Sequence, residues 1–315
     1  MMRGVLRLVK GMRSIQSLKN HLPPSVMIFG CGYVGTALAE ELLGLGVRVG
    51  ALTRNADRAD ELRRMGVAEV LKADLDGAEW AERLSGSYAA VVNCVSSAGG
   101  GIAGYRTSYL YGQQRILAWA QSQRLRSYVY TSSSSVYPQD DGAWIDETAD
   151  TAGAPETGQV LLESEQLLAK HAHLFTAWYV LRLAGIYGPG RHFLLQQLKD
   201  GQGTVPGRGD YHMNMIHRDD ITRALLAALT GQAPAGIYNI CDDQPATKEL
   251  VLRYLAAQLD LPLPTFDPAA ISPRLQRRGG HMPDRRISNA KAQAQLDWQP
   301  VYPSYREGYA QLLRR

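Results

Sequence analysis

The sequence predicts an α/β protein built on a doubly wound parallel sheet, with a smaller second part towards its C-terminal end. Three observations carry that expectation. Short apolar runs alternate with helix-period segments from Val26 to Leu183, the pattern of parallel strands joined by crossover helices. The first run stops at Gly30-Cys31-Gly32-Tyr33-Val34-Gly35, and a helical segment follows at once. Hydrophobic residues make up 45% and charged residues 20% of the 315, an ordinary balance for a chain that buries a core. At roughly 150 residues per domain, the length allows one large unit or two coupled ones.

The chain before the first strand, residues 1–25, carries five basic residues (Arg3, Arg7, Lys10, Arg13, Lys19) and no acidic one. Removing those five charges from the net +4 leaves −1 for residues 26–315. The basic pI is therefore a property of this extension, and the folded body carries no charge signature of nucleic-acid binding. A basic, acid-free segment ending in Pro23-Pro24 fits an organellar transit peptide, a short surface helix or translated non-coding sequence. It has no apolar core of the kind a secretory signal needs. No run of 18 apolar residues occurs, so no membrane partner is expected. Cys31, Cys94 and Cys241 are widely spaced and odd in number, which fits a reducing compartment and a cytoplasmic location better than a disulfide framework. Neither these cysteines nor His192, His212 and His217 have metal-ligand spacing, so no metal is expected.

Val26-Met27-Ile28-Phe29 reads as the first strand. After the glycines, Val34, Ala37, Leu38, Leu42 and Leu45 recur at helical spacing, and Gly44 and Gly46 stop the helix. Residues 47–52 form the second strand. Strand, G-x-G-x-x-G, helix, strand is a dinucleotide-binding context. Gly30 permits the tight turn, Gly32 lets a pyrophosphate approach the backbone, and Gly35 lets helix pack on strand. The free N–H groups of Tyr33, Val34 and Gly35 at the helix start bind the phosphates. In such sites an acidic residue about 20 positions on usually binds the ribose 2′-OH. Here Arg54 stands 19 residues after Gly35, with Arg58 a turn later. A guanidinium suits a 2′-phosphate, so the expected cofactor is NADP in preference to NAD; the alternative is a solvated arginine opening the next helix. Further strands are predicted at 67–73, 88–95, 128–131 and 177–183, with a helix over 105–124. Residues 185–218 are rich in Gly and Pro, and the region after Pro245 is mostly helical.

Several motifs then occur in order: Lys72-Ala73-Asp74-Leu75, Tyr130-Thr131-Ser132-Ser133-Ser134-Ser135-Val136-Tyr137, Arg182-Leu183-Ala184-Gly185-Ile186-Tyr187-Gly188-Pro189-Gly190, Met215-Ile216-His217-Arg218-Asp219-Asp220, Gly236-Ile237-Tyr238-Asn239-Ile240, and Arg285-Arg286-Ile287-Ser288-Asn289 with Tyr302-Pro303-Ser304-Tyr305-Arg306-Glu307-Gly308. Together they resemble the extended short-chain dehydrogenases/reductases, the NAD(P)-dependent nucleotide-sugar epimerase/dehydratase family. The resemblance implies a Rossmann unit over 26–184 to which 214–241 returns, and a substrate lid made of 185–213 and 242–315. It implies that Asp74 and Leu75 contact the adenine and that Ser133 matches the catalytic Ser/Thr. It further implies a small-molecule substrate, a nucleotide sugar or related carbonyl or alcohol. Arg191, Arg208 and Arg218 either pair with its pyrophosphate or are scattered surface arginines. The helices over 105–124 and 158–170 would form the family's homodimer bundle.

The departures are as informative. The family's Tyr-x-x-x-Lys pair falls on Thr157 and Leu161 when the chain is aligned on Glu165, and Tyr111-Gly112 takes the place of its Asn-Gly. In the family the Lys charge lowers the Tyr pKa, and Tyr then moves the proton while the nicotinamide moves a hydride. A Thr hydroxyl beside a Leu cannot do this. The resemblance is thus to the atypical members. Two readings follow: an oxidoreductase or epimerase-like enzyme with a rewired proton donor, or a non-catalytic NADP-binding sensor. Ser132–Ser135 either bind a substrate oxygen or bond their own loop. Tyr111, Tyr137, Tyr187, Asp140, Asp141, Asp146 and Glu147 are the remaining groups near the expected site.

Overall fold

A computed structural model of the chain describes residues 15–97, 99–201, 203–270, 276 and 282–314. Its centre is a seven-stranded sheet: β1 (Ser25–Phe29), β2 (Arg48–Thr53), β3 (Glu69–Lys72), β4 (Ala90–Asn93), β5 (Ser127–Ser133), β6 (Ala177–Leu183) and β7 (Gly236–Ile240). The spatial order is β7-β6-β5-β4-β1-β2-β3, and every neighbouring pair is parallel. The chain runs outward from β1 to β3, then crosses back to β4 and builds the other half. The order reverses at the β1/β4 junction, where open α/β sheets bind ligands.

Helices cover both faces. α1 (Tyr33–Gly44) and α5 (Arg218–Leu229) lie on one; α3 (Gly112–Ala120) and α4 (Glu156–Lys170) lie mainly on the other, and α2 (Ala56–Arg64) joins β2 to β3. The period-2 alternation of each strand divides its residues between the faces. Val26, Ile28, Val92 and Val129 meet Leu38, Leu42 and Leu225. Met27, Phe29, Val91 and Tyr130 meet Ile116, Leu117 and Leu168. On that second face, Phe29 makes edge-to-face contacts with Trp80 at 5.1 Å and Trp119 at 5.4 Å.

A third core joins Tyr187, Leu194, Leu195, Leu198, Val251, Leu255 and Tyr309 beyond the C-terminal edge of the sheet. The C-terminal segment is not confined to it. Ile287, Ala292, Leu296 and Trp298 pack into the first face of the sheet, and Trp298 donates its indole N–H to the carbonyl of Asp220 at 3.0 Å. The extension before β1 is also less separate than its composition indicates. Ile15–His21 is helical, and Leu18 and Leu22 are buried in the first core.

The helix expected over 105–124 is interrupted. An α-turn over Gly101–Tyr105 passes into a π-helical segment, Arg106–Tyr111, before α3 begins. Such segments insert one residue and are frequent at functional sites. Among the described residues no helix is long and apolar enough to cross a membrane, and no group of three His, Cys, Asp or Glu is placed to hold a metal ion.

Candidate functional site

The glycine turn leaves β1 at the switch point. Gly30 has φ +75, and a Cβ there would lie 2.5 Å from the Val95 backbone, so only glycine fits. The Gly30 and Cys31 N–H groups both donate to the Leu52 carbonyl, at 3.1 and 2.9 Å, which ties the turn to β2. A Cβ on Gly35 would meet Gly30 O and Ile28 Cγ2 at 3.2 Å, the close helix–strand contact. Gly32 differs: the nearest atom to its would-be Cβ is 3.9 Å away. Its open side faces the start of α1, which has no side-chain cap. The N–H groups of Tyr33, Val34 and Gly35 are therefore left for an anion. The residues present fit a dinucleotide diphosphate.

A cavity of about 230 Å³ opens beside this turn and brings together Gly30, Gly32, Arg54, Asp74, Leu75 and Ser108. Arg54 Nη1 faces Asp74 Oδ2 across it at 3.7 Å, with both side chains about half exposed. An exposed pair of this kind holds weakly, so both groups remain available to a ligand. Asn55 also lines the cavity and caps α2 by accepting from the Arg58 N–H at 2.9 Å. Thiol chemistry is absent from the turn: burial pushes Cys31 and Cys94 up to about 12, where a thiol stays protonated.

At the other end, β5 runs out at Ser133, whose Oγ accepts from the Ser135 N–H at 3.2 Å and starts the turn Ser134–Val136. A Cβ on Gly158 would lie 3.0 Å from Ser135 O, so the N-terminal turn of α4 sits directly on this serine turn. Thr157 lies in that first turn, half-buried, and Leu161 follows one turn on. Leu161 is 1% exposed within the apolar core that also contains Val136 and Tyr137. No ammonium stands there to activate a neighbouring hydroxyl.

Behind the serine strand lies a buried polar network. Arg182 grips Glu165, with Nη2 to Oε2 at 2.6 Å and Nε to Oε1 at 3.1 Å. Ser132 donates to Glu165 Oε1 at 2.6 Å. Arg182 Nη1 donates to the Tyr137 hydroxyl at 2.9 Å, and Tyr137 donates to Asn239 Oδ1 at 2.7 Å. The network joins β5, α4, β6 and β7, and Tyr137 spends its proton within it. The loop carboxylates are likewise engaged. Asp140 accepts from the Asp284 N–H, Asp141 from the Ala143 N–H, Asp146 from Thr148 and Glu147 from the Asn239 N–H. His217 is fully buried and caps α5. Tyr187 is buried against Tyr309 and His217, and Tyr111 is 41% exposed.

Of the three arginines expected to meet a substrate pyrophosphate, Arg208 is exposed and holds Asp210 bidentately at 2.9 and 2.6 Å. Arg191 and Arg218 come instead to the glycine turn. Their guanidinium carbons lie 5.6 and 5.2 Å from the centroid of Tyr33, within cation–π range. The Tyr33 hydroxyl donates to the Pro189 carbonyl at 2.9 Å. Sequence reasoning used Tyr33 only for its backbone, and an aromatic residue inside the glycine motif was the available signal. It missed Ser108, Ser96 and Asn55 in the cavity altogether. It also missed buried Arg285, which donates to the carbonyls of Ser134 at 3.0 Å and Gln139 at 3.3 Å and so holds the serine turn from the lid side.

The sheet order, the glycine turn and the cavity define a Rossmann-type dinucleotide-binding protein. The model of the NAD dependent epimerase/dehydratase family matches residues 26–241, and the chain belongs to that family. Oxidoreductase-type chemistry with a nicotinamide cofactor comes with that membership. The chain is 28% identical over 323 aligned residues to a 3-diazoavenalumate denitrifying reductase from a Streptomyces species, covering 90% of this chain and 98% of that protein. It is 29% identical to Escherichia coli protein YeeZ over 253 residues, 76% of this chain and 86% of that one. The Thermus thermophilus UDP-glucose 4-epimerase, solved with NAD, superposes with a TM-score of 0.77 at 20% identity, over 92% of this chain and 98% of that one. At that identity it speaks for the fold alone.

Proposed function

We propose that this chain is an NADP(H)-dependent reductase of a small carbonyl compound or similar electrophile, with nucleotide-linked keto sugars among the candidates, working from an atypical site. The single observation that carries the reading is Leu161. Taking hydride from an alcohol is helped by a base that is unprotonated at neutral pH, and in this family a lysine makes the tyrosine such a base. An apolar side chain buried at that position leaves the oxidative direction unassisted. Delivering hydride to an electrophilic carbon needs only a hydrogen-bond donor for the developing negative charge. When bound, the reduced nicotinamide supplies that hydride. The Streptomyces relative is itself named a reductase.

Arg54 supports the 2′-phosphorylated cofactor. It stands at the end of β2, in the cavity, with a carboxylate as its present partner, and a phosphate is a better one. Around the diphosphate, the Tyr33, Val34 and Gly35 N–H groups bind and Gly32 leaves room. At the reacting end, Ser133 points its hydroxyl into the serine turn, where it can hand a hydrogen bond to substrate.

The test has two parts. Fluorescence titration should give tighter binding of NADPH than of NADH. Loss of absorbance of the bound reduced cofactor should follow addition of one member of a panel of aldehydes, ketones and nucleotide-linked keto sugars. The same Leu161 also favours a second reading, a cofactor-binding sensor without turnover. Tight NADPH binding with no oxidation by any member of the panel would select it.

A further inference from the structure

The reductase reading leaves the proton donor unassigned, and the helix that fails to be regular supplies one. We propose that Tyr109 is the catalytic acid of this site, donating its hydroxyl proton to the substrate oxygen as hydride reaches the adjacent carbon. The assignment rests on the reductase reading and on four features of the fold.

First, Tyr109 lies inside the π-helical segment Arg106–Tyr111, whose Ser108 lines the cofactor cavity. Second, its backbone is fixed against the face of α4 that carries Thr157 and Leu161. Ser164, buried one turn beyond Leu161, donates its hydroxyl to the Tyr109 carbonyl at 2.9 Å. Third, the Tyr109 side chain packs against the cores on both faces of the sheet. A side chain does so only at the sheet's end, here the C-terminal edge near the switch point. Fourth, its hydroxyl is met by the Ser97 backbone in the loop after β4, and it feels the positive charge of Arg191 from the lid. The ring lies 5.0 Å from that of Tyr105. The loop after β4, the active face of α4 and the lid are the three walls of the place where the nicotinamide ring belongs.

Of the other tyrosines near the site, Tyr33 donates its hydroxyl to the Pro189 carbonyl, Tyr111 is 41% exposed, and three more are excluded by position. Tyr137 is committed to Arg182 and Asn239, Tyr130 is fully buried under the sheet, and Tyr187 is enclosed by the third core. Burial pushes the Tyr109 hydroxyl up to about 12, so it keeps its proton at neutral pH and yields it only to something as basic as an alkoxide. The step balances without a further reagent. The carbonyl carbon accepts the hydride of NADPH and its C=O π pair moves to oxygen. That oxygen takes the Tyr109 proton, giving alcohol, NADP⁺ and a phenolate faced by the Arg191 charge. Water then returns the proton to the phenolate.

The test combines placement with turnover. In protein carrying ring ¹³C-labelled tyrosine, the Tyr109 signal is the one lost in Tyr109→Phe. It should shift more on saturation with NADP⁺ than with 2′,5′-ADP, which carries the adenosine half alone. Equal responses would put the hydroxyl away from the nicotinamide and overturn the assignment whether or not a substrate is known. With a substrate in hand, Tyr109→Phe should lower kcat by roughly 100- to 10,000-fold, while the dissociation constant for NADPH stays within about twofold. Retained kcat with weakened NADPH binding would make Tyr109 part of the cofactor cradle and overturn the donor role alone. A wild-type protein that binds NADPH but never oxidises it overturns the reductase reading, and the donor role with it.

Discussion

The two ends of the cleft are built on different principles. At the adenosine end, recognition is carried by main-chain geometry: a positive φ at Gly30, two N–H groups on one carbonyl of β2, and an uncapped helix start. Such a site tolerates few substitutions, because its parts are conformations and the sequence must contain glycine where they occur. At the other end, where we place the nicotinamide, recognition would depend on side chains from α4, the serine turn, the π-segment and the segment around Arg191. There the resemblance aligns the family's pair with Thr157 and Leu161, and the first turn of α4 sits on the serine turn. A fold can keep a cofactor seat intact while the reacting groups beside it are exchanged, provided the buried network beneath, Ser132–Glu165–Arg182–Tyr137–Asn239, still holds the strands in register.

That network offers the sharpest way to break the comparison. Arg182→Met leaves Glu165 buried without its partner, and denaturant unfolding should show a loss of about 3–5 kcal/mol, with both ends failing together. A change confined to one end should stay there. Arg54→Asp should weaken NADPH binding by about 1.5–3 kcal/mol, the worth of hydrogen bonds to a charged group, and narrow or reverse the preference over NADH. An unchanged ratio of the two dissociation constants would remove Arg54 from 2′-phosphate recognition.

A smaller effect concerns the polar seam beneath the glycine turn. Burial pushes Asp220 and Glu41 up to about 7. Facing them are Asp219, Arg223, Arg218 and Glu40, and Asp220 also accepts from the Val301 and Tyr302 N–H groups at 2.7 and 3.1 Å. Their folded-state pKa values lie above the unfolded ones. The stability they contribute is present at pH 4, shrinks as pH rises towards 7 and is gone above it. The melting temperature should accordingly be lower at pH 8 than at pH 5, and Asp220→Asn should flatten that slope. A slope of the opposite sign would show that the backbone N–H groups dominate over burial. The smallest change belongs to Thr157→Val, expected to leave kcat within about twofold, since no cation activates that hydroxyl. A hundredfold loss would return the proton to α4 and contradict the role given to Tyr109.

Much of this was legible in the sequence, and the reasons follow the same division. The strand at Ala177–Leu183 has the predicted bounds, and the glycine turn was readable because strand, turn and helix are all local patterns. The π-segment was not, since one extra residue in a turn leaves an apolar stripe that still reads as a helix. The burial of Leu18 and Leu22 has a local sign, an i, i+4 pair, but the basic residues around it hid the pattern. Arg191, Arg208 and Arg218 were indistinguishable as a composition. Only the tertiary fold sends Arg191 and Arg218 to Tyr33 and leaves Arg208 on an exposed loop. Trp298 crosses from the C-terminal segment into the sheet's core, which no linear division of the chain can express.

The aromatic cluster on the second face has a practical consequence. Phe29 is the last residue of β1 and immediately precedes Gly30, and Trp80 and Trp119 rest on its ring. Both indoles are buried, whereas Trp144, in the short strand Trp144–Ile145 beyond the serine turn, is 56% exposed. Trp298 is buried as well and Trp178 half-buried, so the emission of the five tryptophans combines a blue-shifted buried part with a red-shifted part from Trp144. Blue-shifted emission from the buried tryptophans should be quenched by energy transfer when reduced cofactor fills its seat, and red-shifted emission from Trp144 should respond when substrate enters beside the serine turn. With Trp178→Phe and Trp298→Phe removing the other two emitters, events at the two ends of the cleft can be timed separately in a single stopped-flow trace, without an added label.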